Sequence, residues 1–214
     1  MHAHLFESEK GQNLSIKGFK ANIRLRDNAK PVFCKVRLVI PKPDNSVRIC
    51  GDYKVTVKQE EQYPVPNTED LFATLACGEK FSKLYLSQDY TQLELDKDSE
   101  DLVTVNTHIG LYRYRRLVFG VSSSPAIFQS VMDKILSGIQ HVVCRIDDIL
   151  ITGPDDETHL KCLREVLCRL SEHSVKLKKE KCSFMEDRVI YMGHLVDRNG
   201  IHASEDKIEA VRNC

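Results

Sequence analysis

Two apolar runs, Val142–Ile146 and Ile149–Thr152, stand with only Asp147-Asp148 between them. Runs of that length joined so tightly read as a β-hairpin with two acids at its tip. Turns there favour Asn-Gly or Asp-Gly, and two like charges repel where nothing else bonds to them. Taken alone, the pair reads first as a plain exposed turn. Where it serves a purpose, the counter-charge to look for is a divalent cation. Hard carboxylate oxygens suit magnesium, and paired carboxylates can clamp two such ions against phosphate oxygens.

Strands and helices surround this hairpin. Ile16, Ala21, Ile23 and Leu25 suggest a short strand in the polar segment 1–30. Val36–Ile40 and Val47–Cys50 flank a turn-like Pro41–Ser46 stretch and predict a second hairpin. Prolines at 64 and 66 enforce extended chain, after which Asn67 or Thr68 can cap a helix running to Cys77. Phe81–Leu86 predicts a strand, Leu102–His108 and Gly110–Leu117 a strand pair, and Ser124-Pro125 the start of a helix with apolar residues 128, 131, 132, 135 and 136 at helical spacing. Asp155 or Asp156 opens another helix, with Leu160, Leu163, Val166, Leu167 and Leu170 on one face. Strands near 175–178, 183–185 and 189–196 close the pattern. The expectation is an α+β fold, an antiparallel sheet with helices packed on one face.

Composition narrows the setting. The 214 residues carry no net formal charge, so composition gives no sign of a nucleic-acid partner. Basic residues are bunched at Arg113, Arg115 and Arg116 and at Lys176, Lys178, Lys179 and Lys181, either as solvated faces or as local patches. None of the 8 cysteines forms a CxxC pair, which argues against structural zinc and for reduced thiols in the core. No signal peptide or long apolar run is visible, so the expected location is intracellular, in cytoplasm or nucleus, with no membrane partner.

Seven segments then occur in order: VRICGDYKVTV (47–57), QYPVPNTEDLFATL (62–75), FSKLYLSQDYTQLEL (81–95), GLYRYRRLVFGVSSSPAIFQSVMDKIL (110–136), VVCRIDDILITG (142–153), HSVKLKKEKCSF (173–184) and VIYMGH (189–194). Together they resemble the reverse transcriptases of gypsy-type LTR retrotransposons over roughly residues 30–213. The resemblance implies a reverse-transcriptase-like palm at 77–95 and 123–200, a truncated fingers subdomain at 31–76 and 96–122, and the start of a thumb or connection at 201–214. It implies that Asp147 and Asp148 are catalytic ligands of Mg2+ or Mn2+, bound weakly here. Lys42, Arg48 and Tyr90 are matched to nucleotide-binding positions, with Tyr90 excluding a ribose 2′-OH. Tyr191, Met192, Gly193 and His194 are matched to the turn that grips the primer end. Implied partners are an RNA or DNA template-primer and dNTPs. Thumb, connection and ribonuclease H segments are not recognised in the sequence.

Departures from the family pattern concentrate at the chemistry. Tyr85 stands where a third metal-binding aspartate is expected, and a neutral phenol is a poor ligand for a hard dication. Asp89 is displaced from it by about 13 Å along an extended strand. Arg145 replaces the tyrosine two positions before the paired acids, a permanent cation beside them. The junction CKVRLVIPKPDNSVR fuses segments that the family separates by several dozen residues. Two expectations follow: a retroelement polymerase impaired at the metal site, or a non-catalytic remnant or domesticated module that binds nucleic acid.

Overall fold

The computed structural model describes residues 5–6, 15–25, 36–41, 47–51, 53, 63–64, 66–75, 78–87, 89–107 and 109–203; at 36–41, 47–51, 89 and 107 it describes the backbone alone. In chain order the elements are β1 (Val36–Pro41), β2 (Val47–Gly51), α1 (Thr68–Thr74), β3 (Lys80–Tyr85), α2 (Lys97–Leu102), β4 (Thr104–Thr107), β5 (Gly110–Arg113), α3 (Ser124–Ile135), β6 (Val142–Arg145), β7 (Asp148–Gly153), α4 (Asp156–Glu172), β8 (Ser183–Glu186), β9 (Arg188–Tyr191), β10 (His194–Asp197) and β11 (Gly200–Ala203). They divide into two compact units, one of Met1–Gly11, Pro66–Ser87 and Met132–Cys214, the other of Gln12–Val65 and Gln88–Val131.

The first unit is built on a four-stranded sheet in the order β6-β7-β3-β8. In the antiparallel β3–β7 pair Phe81 faces Thr152, Lys83 faces Leu150 and Tyr85 faces Asp148; in β6–β7 Val143 faces Leu150 and Arg145 faces Asp148. Directly opposed residues share a face of the sheet, so this register places Lys83, Tyr85, Arg145 and Asp148 on one side. Farther along that side Phe81, Val143 and Leu150 bury against Leu71 and Leu75 and against Val189, Tyr191 and Val196 of β9 and β10. Each such side chain contributes about 1.5–3 kcal/mol when fully buried. The face is therefore apolar along most of its length and charged at its hairpin end.

Helix α4 covers the other side. Asp155 caps it, accepting a hydrogen bond from Thr158 N at 2.7 Å, and Asp156 and Glu157 in the first turn suit the positive end of the helix dipole. That bond and one from the Thr158 hydroxyl at 3.1 Å hold the Asp155 carboxyl below the usual carboxylate range. The helix buries His159, Cys162, Leu163, Val166 and Leu170. The expected stripe through Leu160 is thus corrected: Leu160 is 47% exposed and His159 takes its place inside. Ser82 on β3 explains the exchange, because its Oγ lies 2.7 Å from His159 Nε2 and gives the buried ring a polar partner. Gly153 is required where β7 meets this helix, since a Cβ there would lie 2.6 Å from His159 N. Arg169 on the same helix donates to the carbonyls of Ile135 (3.2 Å) and Ser137 (3.4 Å), supplying partners at the end of α3.

In the second unit β1–β2 and β4–β5 form two antiparallel pairs. Asp96 caps α2 by accepting from Ser99 N at 2.8 Å and also bonds the Asn22 side chain, while Ser99 Oγ accepts from Ile23 N at 2.7 Å. Burial opposes these bonds, yet the Asp96 carboxyl still rests below its ordinary range.

Several expected boundaries shift. Helix α1 ends at Thr74 instead of Cys77, which lies outside the described residues, as does the 42–46 turn. Residues 16–25 form no strand; Ala21 makes a single bridge to Leu95, and Leu25 is exposed. Val175–Lys178 is likewise not a strand, with Leu177 bridging Phe6 and Leu86 singly. The 189–196 stretch is two strands, broken where Met192 and Gly193 both take positive φ, the pattern of a two-residue type I′ turn.

Candidate active site

Only Ile146 and Asp147 form the β6–β7 turn, so the expectation of two acids at the tip is corrected: Asp148 is the first residue of β7. Ile146 has a φ of 56°, a left-handed conformation that a β-branched residue rarely adopts. The Asp147 carbonyl accepts from Leu86 N at 2.8 Å, which ties the turn to the strand bearing Tyr85.

Around Asp148 the structure assembles lysines. Lys83 Nζ lies 3.3 Å from Asp148 Oδ1, with the two side chains 24% and 23% exposed. The same ammonium donates to the Ile190 carbonyl at 3.3 Å. Lys181 Nζ sits 3.9 Å from the centroid of the Tyr85 ring, a cation–π contact. Burial pushes the Asp148 carboxyl above the usual carboxylate range; Lys83 and Lys181 pull it down, and Asp147 pushes it up. Among the described residues the Lys83 ammonium is the partner of Asp148 Oδ1. Arg145, expected to neutralise the acids, instead donates to Met192 Sδ at 3.3 Å, and Lys83 supplies the ion pair. Sequence reading missed Lys83 because a lysine in a strand looks like a solvated side chain until its cross-strand neighbours are known.

The other candidates are placed as follows. Tyr191 is fully buried, its hydroxyl finds no hydrogen-bond partner among the described residues, and burial raises its pKa far above the usual phenol range. Met192 and Gly193 form the β9–β10 turn, and the His194 ring lies 5.4 Å from that of Phe72. Tyr90 is buried in the second unit against Phe119 (4.9 Å) and Phe128 (5.6 Å). Arg48 lies on β2, where the backbone alone is described, and Lys42 lies outside the described residues. Asp89 opens a 3-10 turn, Asp89–Gln92, in the second unit. Arg113 pairs with Asp101 (2.7 Å) and Glu100 (3.6 Å), and Arg116 bonds the Thr91 carbonyl at 2.9 Å, so both have partners within the chain.

The profile of the reverse transcriptase (RNA-dependent DNA polymerase) family matches residues 40–196. The chain belongs to the reverse transcriptase family. Among its relatives, an uncharacterized Caenorhabditis elegans protein is 36% identical over 176 residues, 80% of this chain and 14% of its own length. Retrovirus-related Pol polyproteins from the Drosophila melanogaster transposons 412 and opus are each 33% identical, over 78% and 80% of this chain and 14% and 18% of their own lengths. The chain thus spans less than a fifth of each of these relatives. Its fold is that of the foamy viral protease-reverse transcriptase: the structure in complex with dsDNA superposes with a TM-score of 0.81 at 19% identity, covering 100% of this chain and 52% of that one. The complex with an RNA/DNA hybrid gives 0.78 at 18%, covering 99% and 33%.

Reverse transcriptases generally use divalent metal ions. The donors described here fit such an ion poorly. Among the described residues no group of three His, Cys, Asp or Glu side chains comes together. The cross-strand partner of Asp148 is a phenol, and its carboxylate already carries an ammonium counter-ion.

Proposed function

We propose that this chain is the fingers-and-palm portion of a retroelement reverse transcriptase that holds a primed RNA or DNA template without extending it. The observation that carries this reading is Tyr85 directly opposite Asp148, where a third carboxylate would be needed to seat two metals. Lys42 and Arg48 would meet the incoming triphosphate, and Tyr90 its sugar. The Tyr191–His194 turn would meet the primer end. Family membership and a fold shared with nucleic-acid-bound reverse transcriptases support this assignment of partners.

Primer extension on poly(rA)/oligo(dT) with magnesium or manganese tests the reading, beside binding of the same labelled duplex at low salt. Retention of the duplex without extension is the expected result. Robust synthesis would restore the polymerase reading, and no binding at low salt would remove the nucleic-acid role.

A further inference from the structure

Arg145 ends β6 directly opposite Asp148 and two residues before Asp147, yet among the described residues neither carboxylate is its partner. The positive charges that act on Asp148 are those of Lys83 and Lys181. The Arg145 guanidinium reaches instead to the β9–β10 turn, where Nη1 donates to Met192 Sδ at 3.3 Å. Both side chains are half-buried, and Met192 packs against the apolar cluster of the sheet face. A thioether is a weak, neutral acceptor, so it fixes where the guanidinium lies without compensating its charge. Elsewhere in the chain Arg113, Arg116 and Arg169 each close on carboxylates, Asp101 and Glu100, Glu94, and Glu165. Arg145 passes over two acids beside it and keeps the other N–H donors of its fork for another acceptor. A planar, permanently charged fork suits the paired oxygens of a phosphate. Asp147 repels an anion from the hairpin tip, so the approach left to a phosphate is from the Met192 side.

We propose that Arg145, seated by Met192, grips a phosphate of the primer strand near its 3′ end, a charged contact that the tyrosine expected at this position could not make. The choice of strand rests on the function proposed above, in which the Tyr191–His194 turn meets the primer end. The test uses the whole chain and labelled primer–template duplexes in which one phosphate at a time is replaced by an uncharged methylphosphonate, first along the end of the primer and then along the facing template. Circular dichroism confirms that Arg145→Gln and Arg145→Lys are folded. On the unsubstituted duplex Arg145→Gln binds about tenfold more weakly, and its plot of log affinity against log salt is flatter by about 1, the share of one phosphate. Arg145→Lys keeps the slope, because the charge remains, and loses part of the affinity, because the fork is gone. A methylphosphonate at one primer position weakens binding by the unmodified protein about tenfold and leaves Arg145→Gln unaffected. Equal affinity and slope for the unmodified protein and a folded Arg145→Gln would overturn the proposal. So would a series in which no primer position, or a template position alone, is sensitive in the unmodified protein, an outcome that holds even if Arg145→Gln does not fold. Absence of duplex binding by the unmodified protein at low salt defeats the proposed function and this contact with it, whereas duplex binding indifferent to Arg145 defeats this contact alone.

Discussion

Tyr85 and Asp148 are cross-strand partners at the hairpin end of the four-stranded sheet, and each carries its own lysine, Lys181 against the ring and Lys83 against the carboxylate. The pairing sets a phenol where metal chemistry needs an anion, and it surrounds the surviving acids with charges of the same sign as the ion they would bind. Tyr85→Asp combined with Arg145→Tyr returns one ligand and removes one cation, so Mn2+ affinity should rise above that of the unmodified chain. Synthesis should stay absent in both. If the near-fusion of the 30–37 and 41–48 segments read from the sequence shortens the fingers, a triphosphate would be seated loosely, and a misplacement of about 1 Å can cost on the order of a hundredfold in rate. Manganese titration and primer extension of the two proteins check this; synthesis by the unmodified chain would defeat it.

Nucleic-acid affinity should be carried by the lysines that follow α4 more than by the arginines of the second unit. Arg113 and Arg116 are engaged with Asp101, Glu100 and the Thr91 carbonyl, while Lys179 is exposed in the 3-10 turn Lys179–Lys181. Lys178→Ala with Lys179→Ala should weaken duplex binding and lower the slope of log affinity against log salt by about 1 for each phosphate no longer neutralised. Arg113→Ala should leave that slope unchanged. Fluorescence anisotropy at two salt concentrations separates the outcomes.

Much of the fold was legible because its signals are local. The acid-linked hairpin, the Ser124-Pro125 helix start and the Asp155 cap each depend on neighbours within a few residues. Tyr85 could be flagged from an ordered motif alone, and register then put it opposite Asp148. What escaped is nonlocal. Lys83 acquires meaning only from β7 and β9, and His159 only from Ser82 on a distant strand. The position of Asp148 in β7, and not in the turn, follows from pairing that no single strand encodes. Helix α2 is the exception, since Asp96 ahead of Asp98, Ser99 and Glu100 is a local cap signal that could have been read.

Ile146 should be a point of backbone strain. Its positive φ favours glycine, so at this position Ile146→Gly should be more stable than Ile146→Ala by about 1 kcal/mol, the reverse of the usual order within regular structure. Comparing these two variants removes the isoleucine side chain from both and isolates the backbone term. Urea unfolding of the pair is the measurement, and an alanine variant as stable as the glycine one would show that the turn is unstrained.

His159 should make the protein acid-sensitive between its unfolded and folded titration points. The ring is fully buried beside Ser82, and burial holds the imidazole below its ordinary range against the opposing pull of the Lys80 backbone and Asp156. In the unfolded chain the same group titrates near a pKa of about 6.5. As pH falls through that value the unfolded state takes up a proton that the folded state refuses, so unfolding becomes more favourable and stability declines. Above it both states are neutral at this residue and the contribution is flat. The slope from this one group cannot exceed about 1.4 kcal/mol per pH unit. His159→Gln keeps a polar side chain near Ser82 but cannot titrate, so it should lower stability at neutral pH while flattening the decline on the acid side. Urea midpoints of both proteins at pH of about 7.5, 6.5 and 5.5 give the comparison, in which the carboxylates common to both cancel. Parallel curves for the two proteins would show that His159 is not the group responsible.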